Sequence, residues 1–189
     1  MSLRTTKHMT WHQSHNTVDG VMVHPSNGEA WKHFNNVHPH FSVESRNVRL
    51  GLCTDEFNPF RSFVAPYSCW SVILTVYNLP PGMCMRPEFM FLSMVIPDPS
   101  SSGRNIDVCL WPLIDELTQL WSSGALIYYI SRKHNFVIRA ALMWTVAHVR
   151  HRGENIHPQN FILSKNVANV GKQEILVFYE WKNGMSVVT

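Results

Sequence analysis

Apolar and polar positions change rhythm along the chain. Residues 1 to about 45 are polar, rich in His and Asn and broken by Pro25 and Pro39. The helical signature in that stretch is Ser26-Asn27-Gly28-Glu29, a cap followed by an acid, with Ala30, Trp31 and Phe34 at helical spacing. It predicts a short helix from about Gly28 to Asn36 in a segment that otherwise wraps or frays. From Asn47 the pattern becomes extended. Asn47–Thr54 alternates Val48, Leu50 and Leu52 against Arg49 and Gly51 and stops at Asp55-Glu56-Phe57-Asn58-Pro59. Ser71–Leu79 reads as a second strand, closed by Pro80-Pro81-Gly82, and Phe89–Ile96 as a third, closed by Pro97-Asp98-Pro99. Short connections between three strands predict an antiparallel meander.

The period then switches to that of a helix. Ile106, Cys109, Leu110, Leu113, Ile114, Leu117, Leu120 and Trp121 share one face, and Asp107, Asp115, Glu116 and Gln119 the other. Pro112 should start, kink or loosen this helix, and Ser122-Ser123-Gly124 should stop it. Ala125–Ile130 and Phe136–Val149 read as strands joined by a polar turn, the second apolar enough to be a buried central strand. A helix competes for 136–149, because Ala140, Ala141, Leu142 and Met143 are good helix formers. Beyond Arg150 only Glu174–Trp181 looks extended. The resulting class is α+β, divided into a polar lead (1–45), a core (46–149) and a divergent tail (150–189).

Composition narrows this picture. With 189 residues, 45% hydrophobic and 15% charged, the chain suits one ordered domain. Its charged fraction is below the ~25% usual for soluble domains, so part of its surface is expected to be covered, as in a piece of a larger assembly. A net charge of +3 permits contact with nucleic acid without requiring it. The N-terminus has no signal-like apolar stretch, and the longest apolar runs are too short for a bilayer. The four cysteines (53, 69, 84, 109) form no Cys-x-x-Cys pair and read as reduced thiols.

Several residues could carry chemistry. His8, His12 and His15 have helical spacing suited to a transition metal, but no Cys or acid stands nearby, and a solvated lead is the simpler reading. Asp115-Glu116 reads as a solvated helix face, and Trp111, Trp121 and Trp144 as core rather than a base-stacking platform. Cys53 reads as a buried small hydrophobe beside Asp55. A lone Asp at a strand end is most simply a turn residue capping local amides.

Longer motifs favour another role for Asp55. Val48 through Phe60 (VRLGLCTDEFNPF), Tyr77 through Met85 (YNLPPGMCM), Ile106-Asp107-Val108, Pro112 through Leu117 (PLIDEL) and Arg139 through Thr145 (RAALMWT) closely resemble the transposases of plant CACTA (En/Spm-type) DNA transposons. His24-Pro25 and Gly28 through Phe34 (GEAWKHF) are similar to the same family. The likeness spans about residues 20 to 147. It implies a ribonuclease-H-like fold, a nuclear setting, DNA (transposon ends) and intact transposase as partners, and DDE chemistry in which carboxylates hold Mg2+ or Mn2+. Asp55 falls on the first catalytic Asp. The strand ending there and the strand ending near position 148 should then run parallel and adjacent.

Departures from the family pattern bear on activity. Glu56 replaces the usual Gly, placing a second carboxylate near the site. Trp144-Thr145 runs into Val146-Ala147-His148, so His148 stands where the second catalytic Asp is expected. Past Val149 no family motif continues, and the domain is expected to be incomplete and inactive in isolation. Arg132, Lys133, Arg139, Arg150 and Arg152 are candidates for contact with DNA phosphates.

Overall fold

The computed structural model describes residues 7–15, 22–60, 67–98, 106–129, 133–148, 178–181 and 184–187. Their frame is a six-stranded sheet in the order β3-β2-β1-β6-β7-β8, with a separate β4-β5 hairpin. The strands are β1 (Val48–Phe57), β2 (Ser68–Val76), β3 (Met90–Asp98), β4 (Ala125–Tyr129), β5 (His134–Ile138), β6 (Ala140–His148), β7 (Phe178–Trp181) and β8 (Gly184–Val187). Two longer helices accompany them, α1 (Glu29–Val37) and α2 (Ile106–Ser122). The class is α+β, as the periodicity indicates.

β1, β2 and β3 form the expected antiparallel meander. β3 is an edge strand, which accommodates Pro97 within the ladder because an edge amide can go unpaired. β6 lies parallel to β1 on its other side, reached through α2 and the hairpin. Such a connection is what parallel neighbours require, since a tight turn cannot join them. β7 adds to β6 through one pair, Trp144 with Phe178, and β8 folds back on β7.

Alternation on the strands gives the sheet two apolar faces. Leu50, Leu52, Val72, Ala140 and Leu142 cluster with Leu110, Leu113, Ile114 and Leu117 of α2. Ala141, Met143 and Trp144 cluster with Ala30, Trp31 and Phe34 of α1 and with Phe41. A skip in register between Leu50/Leu142 and Gly51/Trp144 marks a bulge in β6. Gly51 is required at that point, because a Cβ there would stand 2.2 Å from the Tyr77 ring, which packs edge-on against Trp144. Pro112 is accommodated inside α2 at an exposed position. The helix stops where Gly124 takes φ of 70° and its amide donates to the Gln119 carbonyl.

Four expectations need correction. The single strand 136–149 is two strands that belong to different sheets. Arg139 is the corner: its amide donates to Asn47 Oδ1 at 2.8 Å and its carbonyl accepts from Val48 at 2.8 Å, which moves the chain from the hairpin into the main sheet. The helical alternative for that segment is excluded. β1 continues through Asp55 to Phe57, and β2 ends at Val76, because Asn78 turns inward to bind other backbone groups. On α2, Cys109 and Trp111 are exposed rather than part of the core face, whereas Trp144 is buried. The lead is not simply solvated: Met9, His24, His38 and Phe41 are buried and His12 and His15 half-buried.

Candidate functional site

β1 carries the candidate acid near its C-terminal end. Strand alternation places Leu52 and Thr54 in the interior and leaves Asp55 exposed. Its neighbours in the sheet are Ser71 on β2 and His148 on β6, both directly in register. The Ser71 hydroxyl donates to the Asp55 carbonyl at 3.2 Å. Asp55 thus lies inside a strand rather than in a turn, and the reading as a local amide cap does not describe it. The chain order carries positions 55 and 148 to the same end of two parallel neighbours, as the family resemblance implies.

Glu56 does not join this site. The next residue on a strand points to the opposite face, and the Glu56 carboxylate accepts a hydrogen bond from the Ser68 hydroxyl there. The expected crowding of Asp55 by a second carboxylate is therefore absent. Cys53, two residues before Asp55 and half-buried, has its thiol pushed up by burial and by the Asp55 charge. It stays protonated and is a poor nucleophile.

The residue types present decide which cations could fit. Mg2+ and Mn2+ take oxygen donors, and a two-metal centre needs carboxylates converging from neighbouring strand ends. Position 55 supplies one carboxylate, Glu56 is directed elsewhere, and the in-register neighbour is a histidine. This donor set does not fit two hard cations. Among the described residues no group of three His, Cys, Asp or Glu could hold a metal. His12 and His15 are not arranged as ligands either. His12 Nε2 lies 3.4 Å from the Arg49 guanidinium, while His15 stacks on Trp11 at 4.1 Å and meets Asn27 Nδ2 at 3.0 Å.

The basic candidates are not gathered. Lys133 is exposed at the turn before β5, and Arg139 is the half-buried corner after it. A strand rise of ~3.3 Å per residue separates them by about 20 Å. Arg132, Arg150 and Arg152 lie outside the described residues, as does the side chain of His148.

Two asparagines and one arginine matter more than their sequence context suggests. Asn78 is fully buried; its Oδ1 accepts from the Arg49 amide at 2.7 Å and its Nδ2 donates to the Asn47 carbonyl at 2.8 Å. Asn47, also buried, donates to the Phe41 carbonyl at 2.9 Å and receives the Arg139 amide. Together they tie the lead, the start of β1, the exit of β2 and the corner before β6. Arg49 reads in sequence as the polar side of an alternating strand, yet it is 1% exposed. An Asn immediately before a strand and another just after one were the available signals.

No curated protein and no solved structure matches the chain. The described residues contain no helix long and apolar enough to cross a membrane. The model of the transposase family tnp2 matches residues 19–156, a span that takes in α1, the meander, α2, the hairpin and β6 with both position 55 and position 148, and the chain belongs to that family.

Proposed function

We propose that this chain is a transposase-derived protein of a CACTA-type DNA transposon, with a ribonuclease-H-like core that keeps the frame of a DDE site and does not itself cut DNA. The observation that carries the reading is the register of Asp55 with His148 across parallel β1 and β6. The strand order β3-β2-β1-β6, with α2 in the connection, is the order such a core requires. At the position where a second carboxylate would complete a metal pair, an imidazole stands instead. An imidazole at position 148 brings at most one nitrogen donor, which Mg2+ disfavours. Mg2+ or Mn2+ is held weakly at best, DNA ends and intact transposase are the partners, and the nucleus is the place of action.

A role as a binding module is the second reading, and the edge strand β3 favours it. Phe91, Leu92 and Val95 are exposed on that strand, with no further strand beyond it among the described residues. Such an edge can be extended by a protein partner.

The test is incubation of the purified chain with transposon-end DNA in Mg2+ or Mn2+. Neither nicks nor joined products are expected. Specific, metal-dependent cleavage that disappears in Asp55→Asn would overturn the proposal.

A further inference from the structure

Arg49 is a buried cation with no ion-pair partner among the described residues. Its guanidinium lies over the Trp31 ring at 4.6 Å and near Phe41 at 5.3 Å. Of its five N–H donors, one on Nη2 meets Asn35 Oδ1 at 2.9 Å, and Nη1 has a long contact of 3.4 Å with His12 Nε2. Nε is buried without a partner. Among the described residues the ion pairs are Lys32 with Glu29 and Arg46 with Glu44, and neither involves Arg49. A buried charge ordinarily has an opposite charge beside it or sends its head group to water. The aromatic rings offset only part of the desolvation.

The guanidinium instead borders a cavity of about 460 Å³, framed by Gln13, Ser26, Lys32, Asn35 and Ser42 together with His12 and Trp31. The residues that frame it offer two cations, amides and hydroxyls and include no carboxylate, while Lys32 is itself paired with Glu29 at 2.7 Å. The volume is far beyond the ~30 Å³ share of one water and falls within the range of small-ligand sites. A planar fork with unused donors suits a tetrahedral oxyanion, and a second cation across the cavity can share its charge.

From this juxtaposition we infer that the cavity between α1 and the start of β1 is a phosphate site, with Arg49 as its anchor and Lys32 as its outer cation. The phosphate belongs to a free small ligand or to a nucleic-acid strand. This assignment does not depend on the reading of Asp55. The local electrostatics agree. Desolvation brings Arg49 down to about 10 with no acid to raise it, and burial together with Arg49 holds His12 near 4. His15 and His24 also face His12 and depress it further. A bound dianion would reverse the effect of Arg49, so the His12 titration should move upward on binding.

The test uses the full chain at constant ionic strength, titrated with inorganic phosphate against chloride, with thermal unfolding and the His12 imidazole NMR signal as readouts. Wild-type protein should show a saturable rise in midpoint and a raised His12 pKa. Lys32→Glu changes an exposed position and should fold normally, with phosphate affinity about 10–100-fold weaker. Arg49→Met should abolish the response, and it needs no anion for its own stability because the buried charge is gone. A short DNA duplex that competes with phosphate assigns the site to a nucleic-acid strand. A duplex that does not compete assigns it to a free phosphate-bearing ligand. No saturable response in the wild type, or equal affinity in wild type and Lys32→Glu, would overturn the site.

Discussion

Acid should weaken this fold well above the pH at which carboxylates titrate, and two histidines set the effect. Burial lowers His24 from 6.5 to about 4, with His15 adding to it. Burial and then the Arg49 charge lower His12 to about 4. In both cases the folded value lies below the unfolded one, so the unfolded chain takes up the proton first. The stability these groups contribute is complete above about pH 6.5 and is lost as the pH falls toward 4. At pH 5 a shift of this size corresponds to about 2 kcal/mol for one histidine. His24 is 3% exposed and should express most of it. His12 is only half-buried, so solvent screening reduces its share to ~1 kcal/mol. Urea unfolding from pH 7.5 to 4.5 would measure the loss. Carboxylate titrations are common to the wild type and the double variant His12→Gln/His24→Asn, so the difference between the two isolates the imidazoles. Asn at 24 keeps an acceptor for the Ser26 amide, which His24 Nδ1 now receives at 3.2 Å. The wild type should lose ~3 kcal/mol more than the variant between pH 7 and 5. A difference that stays constant across that range would refute the reasoning.

Two further outcomes follow from the buried polar ties and the strand-end register. Asn78→Leu keeps the approximate volume but leaves the Arg49 amide and Asn47 carbonyl unpaired inside the core; it should cost ~2–4 kcal/mol and speed amide exchange at Arg49. A loss below ~1 kcal/mol would mean that those groups find other partners. His148→Asp should raise Mn2+ affinity about tenfold or more, by placing a second carboxylate in register with Asp55, and Asp55→Asn should remove the gain. Calorimetric titration showing the same weak binding in all three proteins would separate the register from any metal chemistry.

The meander and α2 could be read from the sequence because their signals are local. Leu110, Leu113, Ile114 and Leu117 repeat at helical spacing, and the same four are buried against the sheet. The turn residues flanking β3 bracket it to within two positions of the observed ends. The split at Arg139 was not legible, because neither Arg139 nor its neighbours are strand breakers. The corner depends on Asn47, which is distant in sequence and meets Arg139 only in the folded state. Arg49 was misread for a related reason. Alternation assigns it to the face opposite Leu50 and Leu52, but whether that face meets solvent depends on α1 and the lead folding over it. Glu56 shows the converse case: motif comparison drew it toward Asp55, whereas the two-residue period of a strand already separates their side chains.

Positions 55 and 148 bear different relations to stability and chemistry. What brings them together is backbone pairing, with Val48 to Asp55 running beside Ala140 to His148. The apolar contacts that support this pairing come earlier on the same strands, from Leu50, Leu52, Ala140, Leu142 and Trp144. Asp55 itself is exposed and lies beyond that core. Under the proposed ancestry, the donor set at positions 55 and 148 can change while these apolar contacts, which come earlier on the strands, stay in place. The cavity beneath α1 stands near the opposite end of β1, around Arg49, and its donors are independent of the residue at position 148.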